Sequence, residues 1–304
     1  MKKLFSQFVY AFVIAASAIS AQAQALKVST GGKDGTYSKI FVSLANSCAT
    51  QMQLVEVNST GSTQNIDRLI GNEVNGAFVQ NDVLVYRGAT EDLTNIKTLV
   101  ALHPESVHVV ALAESKEKAG GTLGIGAKPV VLTNINDLSG RVVAAAGGSF
   151  ITAQVIRLQS EINYQVMETK TAEEALAAVA SGAASAAILV GGAPLGQVAA
   201  LDKNFKLLNF PESTITKLKA VYKASRVSYP KMGSTGVATV STDALFISRN
   251  YTTPKYVNGM SKLRSCILQM IPELSEQTGS HPAFSHIDVS NKGKWPWLEF
   301  PVVK

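Results

Sequence analysis

Two stretches of this chain occur twice. Residues 27–45 (KVSTGGKDGTYSKIFVSLA) read as strand, glycine turn and helix, and residues 65–82 (NIDRLIGNEVNGAFVQND) as helix, short turn and buried strand. The first pattern returns as RVVAAAGGSFITAQVIRLQ over 141–159, the second as AEEALAAVASGAASAAILVGG over 172–192. The second pair aligns without a gap, residues 72–81 over 182–191. Strands alternate with helices in both halves, so each half is expected to be α/β, a mostly parallel sheet flanked by helices. Two such lobes facing each other leave a cleft, with the glycine turns at its mouth.

The first residues bear on compartment. Lys2 and Lys3 precede a mostly apolar run, and Ala-x-Ala sites follow at residues 21–23 and 23–25. The pattern is that of a secretory signal peptide over residues 1–25, which implies export to the periplasm. Ser6, Gln7 and Ser17 break the run, which falls short of the ~20 residues of a membrane span. The remainder suffices for two lobes of roughly 100–150 residues. We expect lobe one over 26–113 plus 238–304 and lobe two over 114–237, with hinges near 113–116 and 234–238. Residues 114–129 (ESKEKAGGTLGIGAKP) shift from charged to glycine-rich and read as a loop or hairpin.

The net charge is +6, and basic residues do not cluster, which disfavours nucleic acid as a partner. Cys48 and Cys266 are the only cysteines and form a candidate disulfide in an exported chain. The alternative is two buried thiols acting as small apolar residues. His103, His108, His281 and His286 have no ligand-type spacing, so neither a metal nor another cofactor is expected.

Ligands of parallel sheets sit beyond the carboxyl ends of the strands. Gly32, Gly35 and Thr36 open the first helix, where small residues let a ligand approach backbone N–H groups. Tyr37 follows in the first turn with a ring and a hydroxyl to offer. Gln80 and Asn81 end a buried strand; Asp82 reads as a helix cap, as does Ser62 or Thr63 one helix earlier. Gly148, Ser149 and Thr152 form the matching turn of lobe two, and Gly191 with Gly192 matches the Gln80–Asn81 strand end. Thr171 and Glu174 form a capping box. No G-x-S-x-G elbow occurs, and no base can be named beside Ser149, so no catalytic residue is assigned and no enzyme is expected.

These motifs, in this order, resemble the TAXI family of TRAP-associated extracytoplasmic proteins. The resemblance rests on T-G-G-x-x-G-T-Y at 30–37, S-T-G-S-x-x-N at 59–65 and G-A-F-V-Q-N-D at 76–82. It extends to LHPE at 102–105 with VHVV at 107–110, and to NDLSGRVV at 136–143. It implies the two-lobed fold of type II periplasmic binding proteins. It also implies a monomeric receptor that passes a small carboxylate or amino acid, such as glutamate, to a TRAP membrane permease. By similarity, the first glycine turn, Tyr37, Gln80, Asn81 and the 147–152 turn line the pocket. The chain departs from the family at Ser38, where a second aromatic often stands, and at Lys33 and Asp34, where small neutral residues are usual. A sensor domain for a membrane signalling partner, or an enzyme on the same fold, are the alternative readings.

Overall fold

The computed structural model describes residues 25–33, 35–119 and 128–300. The expected signal segment, apart from Ala25, lies outside these residues, as do Asp34 and the middle of the 114–129 loop. In chain order the elements of the first lobe are β1 (Leu26–Ser29), α1 (Thr36–Ser47), β2 (Leu54–Val57), α2 (Ser62–Ile70), β3 (Gly76–Gln80) and α3 (Asn81–Gly88). A long strand, β4 (Ile96–Leu112), leads out of it, and a small hairpin follows, β5 (Lys118–Ala119) and β6 (Lys128–Pro129). The second lobe holds β7 (Val142–Ala146), α4 (Gly147–Ser160), β8 (Gln165–Thr169), α5 (Ala172–Ser181), β9 (Ala186–Gly191) and α6 (Gly196–Ala199). It continues with β10 (Phe205–Leu207), α7 (Glu212–Leu218) and β11 (Lys223–Tyr229). A second long strand, β12 (Ser234–Arg249), returns to the first lobe, and α8 (Pro254–Glu276) packs there.

One ten-stranded sheet runs through both lobes; eight strands follow the order β2-β1-β3-β12-β4-β9-β7-β8, while β10 pairs with β4 and β11 with β12 off that path. β1, β2 and β3 are parallel, as are β7, β8 and β9. The two long strands run antiparallel to their neighbours on both sides, so the sheet is mixed where a mostly parallel one was expected. The sequence divides β4 into strands at 96–103 and 107–113; the structure has one strand of 17 residues, with Pro104 inside it. At about 3.3 Å per residue it runs over roughly 55 Å, long enough to serve both lobes.

Alternation along the strands sets two cores in each lobe. Phe78 and Phe246 face Ile40, Phe41 and Leu44 of α1 and Leu263 and Ile267 of α8. Their neighbours Ala77, Val79, Leu245 and Ile247 face the opposite way, onto α2 and α3 through Ile66, Leu69, Val83 and Leu84. In lobe two Val143, Ala145 and Ile188 meet α4 and α7, whereas Ala144, Ala187 and Leu189 meet α5. β4 changes hands between Leu102, in the first lobe's core, and Val107, in the second's. Its pairing with β9 begins at Ser106. The passage therefore lies earlier than residues 113–116, and β12 crosses at about Ser241, later than 234–238.

Two caps differ from expectation. Gly61, with φ 121°, occupies the cap position of α2, and neither Ser62 nor Thr63 caps it. The Ser62 hydroxyl instead accepts from the Gln80 N–H at 3.0 Å. Thr171 caps α5, but the Glu174 carboxylate reaches back to Lys170 N–H, one residue before the cap. α1 and α8 are adjacent, and the structure joins Cys48 to Cys266 across them, with Cα atoms 6.1 Å apart. α8 runs to Glu276 and carries Pro272 within it. Among the described residues no helix is long and apolar enough to cross a membrane.

Candidate functional site in the interlobe cleft

The two glycine turns meet. On the first lobe, β1 ends at Ser29 and the chain closes a tight turn in which Gly35 N–H donates to Gly32 O at 2.8 Å, so that α1 can start at Thr36. On the second lobe, β7 ends at Ala146 and Gly147, with φ +53°, swings directly into α4. A Cβ on Gly147 would sit 2.5 Å from the Thr60 carbonyl oxygen, and one on Gly148 would sit 2.0 Å from Gln80 Oε1 and 3.1 Å from Ser62 Oγ. At Gly147, where the neighbour is a backbone oxygen, only glycine allows so close an approach; at Gly148 the neighbours are side-chain ends. At the strand end of lobe two, a Cβ on Gly192 would lie 3.1 Å from the His103 ring and 3.4 Å from the Thr36 methyl. The lobes are closed on each other in this structure.

Behind the turns lies a buried polar layer. The Tyr37 hydroxyl donates to Glu105 Oε2 at 2.8 Å, and the ring meets Phe78 and His103 edge-on, with centroids 5.7 and 6.5 Å away. Burial first, then the negative charge of Glu105, push the Tyr37 hydroxyl well above its ordinary pKa, so it stays protonated and donates. His103 Nε2 stands 3.7 Å from Glu105 Oε1. Asp82 bridges the lobes: its Oδ2 accepts from Thr152 Oγ1 at 2.6 Å and from Tyr222 OH at 2.8 Å. Its pKa is raised, by burial above all, against the lowering effect of those two hydrogen bonds.

The expected residues divide. Thr36, Tyr37, Gln80, Gly148 and Thr152 gather at the seam, and Asn81 is buried beside it as the first residue of α3. Gly32 is exposed, with nothing within 4 Å of its Cβ position, and Gly35 serves the turn itself. The Ser149 hydroxyl is occupied within its own lobe, accepting from Val190 N–H at 3.0 Å. Gly191 packs on Leu195, and its neighbour Gly192 faces lobe one. Thr152 spends its hydroxyl on Asp82. Asp82 does not cap α3, whose cap position is Gln80, without a side-chain hydrogen bond.

Sequence reasoning assigned no role to Glu105, His103 or Tyr222. An acid within the apolar run 96–112 was the available signal for Glu105: an ionisable side chain in a buried strand needs a partner. Tyr222 gave no signal, because only the packing of lobe two onto lobe one carries its hydroxyl to Asp82. Among the described residues no group of three His, Cys, Asp or Glu could hold a metal ion.

Solved structures share this architecture. The substrate binding protein of an amino acid ABC transporter matches with a TM-score of 0.51 at 11% identity, over 82% of this chain and 94% of its own. An arginine transport system periplasmic binding protein from Legionella pneumophila gives 0.51 at 10% identity, over 82% and 94%. The protein Tv2483 bound to L-arginine gives 0.54 at 12% identity, over 83% and 86%. At such identities the likeness is one of fold, and that fold is the type II periplasmic binding protein architecture. The whole doubled unit and the returning strand, residues 28–287, also match the model of the NMT1-like family, and the chain belongs to that family.

Proposed function

We propose that this protein is an exported, non-catalytic solute receptor that closes its two lobes on a small amino acid or carboxylate and presents it to a TRAP-type membrane permease. The close meeting of the 147–148 backbone with Thr60 and Gln80 carries this reading. A contact that tight across a cleft, over a buried polar layer, suits a clamp that engages its ligand from both sides. A ligand that touches both lobes favours the closed form by its differential affinity for it. The fold neighbours named for amino acid transport and for bound L-arginine agree in ligand class. The export pattern of residues 1–25 and the TAXI-like motifs supply the compartment and the TRAP partner. Monomeric receptors suit such delivery.

Native mass spectrometry of freshly purified protein, followed by calorimetry with L-glutamate, L-glutamine, L-arginine and succinate, tests the reading. A bound small molecule, stoichiometric calorimetric binding and a smaller scattering radius with ligand are the expected results. Turnover of a bound compound, or an unchanged radius at saturation, would overturn it.

A further inference from the structure

Two strands, β4 and β12, carry the chain between the lobes, and a further connection is made without a peptide bond. The tail beyond α8 belongs to the first lobe. Trp295 Nε1 donates to Ile96 O at 2.9 Å, its ring lies 2.7 Å from where a Cβ on Gly88 would stand, and Thr98 N–H donates to Pro296 O at 2.8 Å. A Cβ on Gly293 would meet the Leu245 side chain at 3.0 Å. Just ahead, Asp288 Oδ1 accepts from Ser290 N–H at 2.9 Å, and Asn291 Oδ1 accepts from Gly293 N–H at 2.9 Å, which folds 288–293 into two short turns. From this anchored stretch Lys294 reaches out of the lobe: its Nζ donates to Ala220 O at 2.7 Å, in the turn between α7 and β11 of lobe two.

That turn is fixed to its own lobe by Leu218, Val221 and Tyr222, which enter the lobe-two core. Tyr222 is also the residue whose hydroxyl closes on Asp82, so a motion that withdraws Tyr222 from Asp82 draws Ala220 away from Lys294. Lys223 follows and points the opposite way. Its Nζ donates to both oxygens of the buried Asp243 at 3.0 and 2.9 Å, beyond the point where β12 crosses to lobe one. Asp288 of the tail lies in the field of the same lysine: hydrogen bonds from Ser290 lower its pKa most, and the charge of Lys223 adds to them. A lysine from each lobe thus reaches an acceptor on the other, outside the cleft. We propose that residues 288–294 form a strap across the hinge, in which Lys294 on Ala220 O holds the lobes in the closed setting without touching what the cleft binds. The proposal rests on the receptor reading for what closure serves. A contact made only in the closed form adds to the free energy of closure whatever the ligand, so its loss weakens every ligand by one common factor.

Lys294→Met keeps the length of the side chain and loses its donors, whereas Lys294→Arg keeps donors. Calorimetry with L-glutamate, L-glutamine, L-arginine and succinate, and hydrogen exchange without ligand, test the strap on both variants. Lys294→Met should weaken each compound that the wild type binds by about 3–10-fold, the scale of one charge-assisted hydrogen bond discounted for its exposed position. The factor should be the same for every compound, and thermal unfolding without ligand should not move. Lys294→Arg should stay within about twofold of wild type. Amides of 147–152 and 220–223 should exchange faster in ligand-free Lys294→Met than in wild type. Affinity of Lys294→Met within about twofold of wild type overturns the strap and leaves the receptor reading standing. So does a loss that differs from compound to compound, which would make Lys294 a ligand contact. A wild type that binds none of these compounds counts against the receptor reading, and hydrogen exchange then decides the strap by itself, unchanged rates overturning it.

Discussion

The Thr152 hydroxyl of lobe two donates to the Asp82 carboxylate of lobe one at 2.6 Å, and Tyr222 OH donates to the same oxygen at 2.8 Å. These are hydrogen bonds to a charged acceptor between groups that the open form would separate, so they belong to the free energy of closure. Hydrogen bonds to charged groups contribute about 1.5–3 kcal/mol. Thr152→Val should therefore weaken ligand binding by about 10–100-fold while the ligand-free protein keeps its thermal stability within ~1 kcal/mol. Calorimetry and thermal unfolding of the same preparation measure both. Unchanged affinity would show that Asp82 does not hold the lobes together.

Gly147 tests closure from the other side. An added methyl would meet the Thr60 carbonyl oxygen at 2.5 Å, a backbone atom that cannot swing away. Gly147→Ala should lower affinity by at least ~10-fold and leave the scattering radius large even with saturating ligand. The left-handed φ of +53° adds a separate cost of about 1 kcal/mol in either state. Chemical denaturation without ligand isolates that second effect, and a full return of binding at high ligand concentration with a compact radius would contradict the steric argument.

His108 should make the fold sensitive to acid. Leu195 N–H donates to the Tyr229 oxygen at 2.7 Å, which leaves the tyrosine's own hydrogen to donate to His108 Nε2, also at 2.7 Å. Burial lowers the imidazole pKa from 6.5 to about 4. The unfolded chain binds the proton first as pH falls, so stability is lost from about pH 6.5 down to about 4, and is fully present above 6.5. The loss reaches about 3 kcal/mol at most. Urea denaturation at pH 7.5 and pH 5 should show the decline in wild type and a smaller one in His108→Gln. An equal decline in both would place the acid sensitivity elsewhere.

The bond between Cys48 and Cys266 closes a loop with a sequence separation of 218. For a loop of that length chain entropy gives roughly 5 kcal/mol as an upper figure. Thiol counting on denatured, unreduced protein exported to an oxidising compartment should find no free thiol. Reduction, or the Cys48→Ser and Cys266→Ser double variant, should cost about 2–5 kcal/mol in denaturant unfolding without moving ligand affinity by more than about twofold. Two reactive thiols per chain would remove the bond from the native protein.

The local units of this protein are legible in its sequence. Period-2 and period-3.6 patterns, glycine turns and the doubled strand–turn–helix depend on neighbours in the chain, so residues 27–45 and 141–159 announce their elements and the turns that meet at the cleft. Tyr37, Gln80 and Gly148 were readable because each stands beside a turn or a strand end. What joins distant segments was not. The fusion of 96–112 into one strand shared by both lobes, and with it the passage near Ser106, follows from pairing with β12 and β9, which local propensity does not encode. The assignment of Ser149 to its own lobe, and the convergence of Thr152 and Tyr222 on Asp82, are likewise long-range. Glu105 shows the division most sharply. Its chemistry is present in the sequence as an acid within an apolar run, but its partners Tyr37 and His103 and its burial arise only when the tertiary structure has formed. Side-chain type and local period are properties of the chain, whereas burial and the convergence of Thr152 and Tyr222 on Asp82 are properties of packing between segments far apart in sequence.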